Sequence, residues 1–247
     1  MGKIIIVGIG PGNEFDMTAR ARKAIESAEV IAGYKTYTNL ISKLIEGKKI
    51  IATAMMQEIE RAKLAIEEAQ KGFKVAVISS GDAGIYGMAG LVIEKILELP
   101  EENQPEFEVV AGVSAINSAA AILGAPLMHD FAVISLSDLL TDWELIKKRV
   151  KCAAEGDFVI ALYNPKSKKR VTNIEEVQKI LLEHRNKNTP VGIVTNAGRL
   201  GEKKIISTLE NFTDEEISMF SLVLIGNSKT FVKNNFMITP RGYKNKF

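Results

Sequence analysis

The sequence predicts an α/β protein made of two successive domains, the first with a mainly parallel sheet and the second with a mixed one. Three observations carry that expectation. Apolar runs of strand length alternate with helical patterns through the first half of the chain, as they do where parallel strands are joined by crossover helices. The first such run, residues 4–7, opens directly onto Gly8-Ile9-Gly10-Pro11-Gly12-Asn13 and then a helical pattern, the order at which α/β proteins place ligands. Beyond Gly112 the segments shorten and turns multiply, which favours strands of both directions.

Taken in order, strands are predicted at 4–7, 30–32, 49–52, 75–78 and 107–110. A helix is expected over 17–28 with Asp16 as its N-cap. A second carries Ile59, Ala62, Ile66 and Ala69 on one stripe and is closed by Gly72 after Lys71. A break falls near Pro105 and Gly112, so the domains are expected at 1–112 and 113–247. Residues 114–123 are small and apolar on most sides, which suits a buried, closely packed helix. Further strands are expected at 131–136, 158–162, 191–195 and 222–225, and helices at 143–154 and 174–185.

A chain of 247 residues buries a full core. Its 46% hydrophobic and 25% charged residues match an ordinary globular protein. No apolar run approaches the roughly 20 residues that span a bilayer, and the short N-terminal run, broken by glycine and proline, reads as a strand and not a signal peptide. Cys152 stands alone, which excludes an intrachain disulfide and a multi-cysteine metal site and fits a reducing cytoplasm. With a net charge of +2 the chain lacks the overall field that gathers nucleic acid. Basic residues do cluster at Lys147-Lys148-Arg149, at Lys166-Ser167-Lys168-Lys169-Arg170 and from Arg241 to Lys246, either as solvated helix ends and loops or as a rim for a polyanion.

The strand at 75–78 runs into Ser79-Ser80-Gly81-Asp82-Ala83-Gly84-Ile85-Tyr86-Gly87. Two glycine-rich loops after two parallel strands point to one binding crevice, although Asp82 also suits a helix cap. The spacing around Pro11 departs from the dinucleotide fingerprint, and the second strand ends in Ala32-Gly33-Tyr34-Lys35 without the acid that holds ribose hydroxyls. Lys35 keeps a phosphorylated dinucleotide open. The Met55-Met56 pair reads as core or cleft lining. His184 reads as a solvent-facing helix-end residue.

Val7-Gly8-Ile9-Gly10-Pro11-Gly12, Ser79-Ser80-Gly81-Asp82 and Gly112-Val113-Ser114-Ala115 resemble the successive motifs of the tetrapyrrole methylase family. Gly33-Tyr34-Lys35-Thr36-Tyr37, the segment Gly124-Ala125-Pro126-Leu127-Met128-His129-Asp130-Phe131, then Ile134-Ser135-Leu136-Ser137-Asp138 and Leu162-Tyr163-Asn164-Pro165 are similar to its precorrin-3B C-17 methyltransferase branch. The resemblance implies a homodimer of two-domain subunits that binds S-adenosylmethionine in the cleft between domains. Pro11, Ser80, Gly81, Asp82, Ile85, Ser114, Ala115, Asn164 and Ala197 would then line the donor site, with many contacts through the backbone. Where other members carry an aspartate this chain has Tyr34, which argues for a different substrate and makes Tyr34 a candidate substrate contact. The branch couples methylation at carbon 17 to contraction of the macrocycle, a step that moves protons. His129, with Asp130 beside it, has the side chain whose ordinary pKa suits that work. Ser135, Ser137, Asp138 and Tyr163 are further candidates for substrate contact, and Arg170 and Arg199 for carboxylate anchors. No protein metal site is expected, any cobalt being carried by the substrate. Methylation at another carbon of a corrin precursor, an NADP-dependent oxidoreductase and a nucleic-acid-binding protein remain alternatives at this level.

Overall fold

A computed structural model describes residues 1–167 and 171–243. The chain divides into two compact units, Met1–Ala115 and Ile116–Phe247.

The first unit contains β1 (Lys3–Gly8), α1 (Ala19–Ser27), β2 (Val30–Tyr34), α2 (Lys35–Leu40), β3 (Lys49–Thr53), α3 (Glu58–Gln70), β4 (Lys74–Ser79), α4 (Ala89–Leu97) and β5 (Glu106–Val110). All five strands are parallel, in the order β3-β2-β4-β1-β5. β1 and β4 lie at the centre and are apolar on both faces, as a sheet covered by helices on each side requires. Ile4, Ile6, Val75 and Val77 share a core with Ala62, Ala65, Ile66 and Ala69 of α3 and Val92 and Ile96 of α4. The alternate positions Ile5, Val7, Ala76 and Ile78 share another with Ala21, Ala24 and Ile25 of α1. The register pairs Gly8 with Ser79 and Val7 with Val110, so these three strands end side by side.

Two details differ from the expectation. Thr18, not Asp16, caps α1: its backbone is extended and its Oγ1 accepts a hydrogen bond from Ala21 N at 3.1 Å. The Asp16 side chain is engaged one turn earlier, where Asn13 Nδ2 donates to it. Ile59 is 55% exposed, and Ala65 takes its place on the buried stripe of α3. Gly72 closes that helix with φ +99°, a left-handed conformation that glycine adopts without strain.

The second unit contains most of α5 (Ala115–Leu123), then β6 (Gly124–Ala125), β7 (Phe131–Ser135), α6 (Trp143–Glu155), β8 (Val159–Tyr163), α7 (Asn173–Leu182), β9 (Pro190–Thr195), β10 (Lys203–Thr208), β11 (Ser221–Ile225), β12 (Phe231–Lys233) and β13 (Phe236–Ile238). Its main sheet runs β10-β9-β11-β8-β7, with β7 parallel to β8 and the other pairs antiparallel. A small sheet, β12-β13-β6, stands beside it. α5 buries Ile116, Ala119, Ala120 and Leu123 but exposes Asn117 and Ala121, so it is buried along one face only. Leu123 packs where a side chain on Gly192 of β9 would stand, 2.5 Å from a Cβ there. α7 ends at Leu182, before His184, whose side chain is only 21% exposed and lies 4.0 Å from carboxylates of Glu155 and Glu183. Arg185 folds back to donate to the carbonyls of Ala153, Phe158 and Gly226. Among the described residues no helix is long and apolar enough to cross a membrane.

Candidate functional site

The two glycine loops are joined to each other. As β1 and β4 end, Ile9 N donates to Ser79 O at 2.9 Å, Gly10 N to Gly81 O at 3.0 Å, and Gly81 N to Gly10 O at 2.7 Å. Gly10 and Gly81 have φ of +74° and +68°, in the region where a β-carbon is penalised. Gly8 and Gly112 serve a different need. A Cβ on Gly8 would stand 2.7 Å from Gly81 O, and one on Gly112 only 2.2 Å from the same atom. Three stretches of main chain, at the carboxyl ends of β1, β4 and β5, are in contact here.

Asp82 ties the loops together further. Its Oδ1 accepts from Gly84 N at 2.8 Å and its Oδ2 from Gly112 N at 3.0 Å. α4 starts only at Ala89, so the helix-cap reading of Asp82 fails. The loop closes where Met88 N donates to the buried Ser79 Oγ at 3.1 Å. Pro11 is buried directly after Gly10. Ser114 is 5% exposed, and Ala115 N lies 3.5 Å from the Cβ position of Gly81. Pro11, Gly81, Asp82, Ser114 and Ala115 thus gather in one place, with Ser80 half-buried and Ile85 exposed on the same loop. The loop stretches 8–13, 79–88 and 111–115 contain one carboxylate and no cation. Both Asp82 oxygens accept backbone N–H groups, so the one carboxylate of these loops is fastened to main chain.

At the ends of β2 and β3 the chemistry changes. Tyr34 meets Tyr37 edge to face, with ring centroids 5.2 Å apart. Arg61 of α3 is 3% exposed. Its Nε donates to Thr53 Oγ1 at 2.8 Å, its Nη2 to Ala54 O at 3.1 Å and its Nη1 to Met88 Sδ at 3.4 Å. Burial pushes its pKa below the usual guanidinium value, with Glu58, Tyr37 and Tyr34 opposing that shift more weakly. Sequence reasoning missed this residue, and the one signal for it was an arginine adjoining the apolar stripe of α3. Met55 and Met56 are 47% and 73% exposed and are not core.

In the second unit, Ser135 Oγ accepts from Asn164 Nδ2 at 2.9 Å and from Ser137 N at 3.2 Å, which brings three of the expected residues together. Asn164 has φ +50°, a conformation asparagine tolerates better than most residues. Tyr163 OH accepts from Ile116 N at 3.0 Å, satisfying a first-turn donor of α5. Asp138 is exposed, and Ala197 and Arg199 lie half-buried in the turn after β9. His129 and Asp130 are both exposed just ahead of β7. Asp130 N donates to His129 Nδ1 at 3.0 Å, and Asp130 Oδ2 is 3.6 Å from the same nitrogen. Arg170 lies outside the described residues. Among the described residues no group of three or more His, Cys, Asp or Glu is placed to hold a metal ion.

Comparison with known proteins adds four findings to this geometry. Residues 3–213 match the family model of Tetrapyrrole (Corrin/Porphyrin) Methylases. The chain is 51% identical to a cobalt-factor III methyltransferase of Priestia megaterium, matching 100% of this chain but only 46% of that protein, so it spans less than half of that relative. It is 49% identical to the Salmonella typhimurium protein named "Probable cobalt-factor III C(17)-methyltransferase", over 96% of this chain and 98% of the relative. Among solved structures, the crystal structure of the methyltransferase CobJ superposes with a TM-score of 0.91 at 34% identity, covering 97% of this chain and 100% of that one. A match over most of the chain, with the glycine loops that define the site inside it, means that the chain belongs to the tetrapyrrole (corrin/porphyrin) methylase family.

Proposed function

We propose that the protein transfers a methyl group from S-adenosylmethionine to carbon 17 of a precorrin-3B-type macrocycle, with contraction of the ring, in cobalamin biosynthesis. The observation that carries this reading is the 49% identity to the Salmonella protein across nearly the full length of both chains. The bonded loops at Gly10 and Gly81 agree with it. They carry one carboxylate, Asp82, and no cation, a charge balance that suits a sulfonium donor better than the phosphates of NADP. When bound, the donor supplies a methyl already activated by the sulfonium charge.

The chain's own part is placement. Backbone groups around Pro11, Ser80, Gly81, Ile85, Ser114 and Ala115 hold the donor, with Asn164 and Ala197 as further contacts. Orientation of this kind supplies on the order of 7–11 kcal/mol of a barrier. Tyr34, Ser135, Ser137, Asp138, Tyr163, Arg170 and Arg199 hold the acceptor, and His129 with Asp130 moves the proton of ring contraction. His129 Nδ1 accepts a hydrogen bond from Asp130 N, which leaves Nε2 as the nitrogen turned to that task. The reading includes a homodimer in the cytoplasm, with any cobalt travelling on the substrate. Calorimetry with S-adenosylhomocysteine and with NADP, followed by incubation with purified precorrin intermediates and NMR location of the new methyl, tests it. A methyl at another carbon would move the protein to a neighbouring step, and NADP binding without S-adenosylhomocysteine binding would overturn the reading.

A further inference from the structure

Arg61 is a cation placed inside the protein without a carboxylate in direct contact. Among the described residues it forms no ion pair, and its bonds go to a hydroxyl, a carbonyl and a thioether. A guanidinium carries five N–H donors, and a buried charge is ordinarily paired. These three neutral acceptors engage three of the five N–H groups, and the charge is offset only at longer range, chiefly by Glu58. Burial already weighs against the charged form, as the lowered pKa indicates.

The position of this charge is specific. Arg61 joins the carboxyl end of β3, through Thr53 and Ala54, to the end of the glycine loop after β4, through Met88. In parallel α/β sheets ligands collect at these ends. The segments flanking its partners are apolar and exposed: Met55 47%, Met56 73%, Ile59 55% and Tyr86 55%. The turn that includes Ala54 is closed by the exposed Gln57 and the half-buried Glu58, Gln57 Oε1 accepting from Ala54 N and Glu58 Oε1 from Met56 N. Met56 sits in the turn at φ +68°, an unfavourable conformation for a side chain of its size. A buried cation whose bonded segments carry exposed apolar side chains complements a flat apolar ring with carboxylates on its rim.

We propose that Arg61 receives a carboxylate side chain of the methyl acceptor, reached as the turn at 54–57 lifts, while Met55, Met56 and Tyr86 pack against the ring. The proposal rests on the reading of the acceptor as a carboxylated tetrapyrrole. The fork of a guanidinium matches a carboxylate with two parallel hydrogen bonds.

The test measures binding to the full chain, apart from catalysis. Uroporphyrin, with eight carboxylates, is titrated by fluorescence against wild type, R61M and R61K, and S-adenosylhomocysteine is titrated by calorimetry against the same proteins. R61M is expected to weaken porphyrin binding about 10- to 100-fold with donor affinity unchanged. R61K, a point charge without the fork, is expected to weaken it about three- to tenfold. Equal porphyrin affinity in wild type and R61M overturns the proposal, as does equal loss of porphyrin and donor affinity, which marks a purely structural role. Should R61M fail to fold, R61K decides, and unchanged porphyrin affinity there overturns the proposal. Porphyrin binding that depends on Arg61 in a protein that transfers no methyl group supports this site and sinks the proposed activity, so the two failures are distinguishable.

Discussion

Replacing Asp82 with alanine removes the two bonds that fasten the second glycine loop. Gly84 N lies in an exposed turn where water replaces the carboxylate, so that bond contributes little. Gly112 N is partly buried and 30 residues away in sequence, and it would lose its partner. A hydrogen bond to a charged group contributes about 1.5–3 kcal/mol, and a stranded buried donor costs a similar amount. The expected loss is therefore about 2–3 kcal/mol, which for a chain of this size lowers Tm by about 4–12 °C. D82N keeps one acceptor oxygen and turns an amide N–H toward the other donor, so it should fall between wild type and D82A. Thermal melts give the order, and calorimetry with S-adenosylhomocysteine gives the consequence, a Kd raised about tenfold or more as the donor must reorder the loop. A D82A protein that melts with wild type and binds S-adenosylhomocysteine as tightly would refute the view that this carboxylate is a fastening between loops.

Three further outcomes follow from contacts described above. G112A drives a Cβ against backbone oxygens of Gly81 and Gly8 and should destabilise by about 1–3 kcal/mol or more, whereas G90A, where nothing stands within 4 Å in α4, should stabilise by about 0.5–1 kcal/mol; urea melts of both report the sign. Lys49 and then Lys71 hold the Glu68 carboxyl below its ordinary pKa, so the ionised group stabilises the fold at and above the ordinary glutamate range and that contribution disappears as the pH falls through the lowered value. The stability difference between wild type and E68Q should accordingly be constant near neutrality and vanish in acid, which denaturant melts at stepped pH would reveal. R185M strands three carbonyls and should cost about 3–5 kcal/mol, with R185K recovering only part because an ammonium lacks the planar fork; a melt of R185M indistinguishable from wild type would contradict this.

Much of the first unit was legible because its inner strands β1, β2 and β4 are buried on both faces and therefore read as continuous apolar runs. β10 was not: Lys203 and Lys204 begin it at the sheet edge, where charge is tolerated and no apolar run forms. β12 and β13 are three residues each and largely exposed, too short to carry a pattern. At the candidate site the glycines were visible, but their reasons were not. Gly10 and Gly81 answer to backbone conformation, while Gly8 and Gly112 answer to main-chain contact across strands distant in sequence. Asp82 carried two compatible explanations until Gly112 appeared beside it. Arg61 could not be found from spacing, since the sequence does not state that a charge will lack its partner.

The seam between Gly10 and Gly81 has one more implication. A recess whose inner surface is peptide amide presents the same atoms whatever side chains surround it, so substitution there can break it but cannot retune it. On the proposed reading of this seam as the donor's cradle, selection for a new methyl acceptor would then have to work elsewhere, on the side chains that meet the ring.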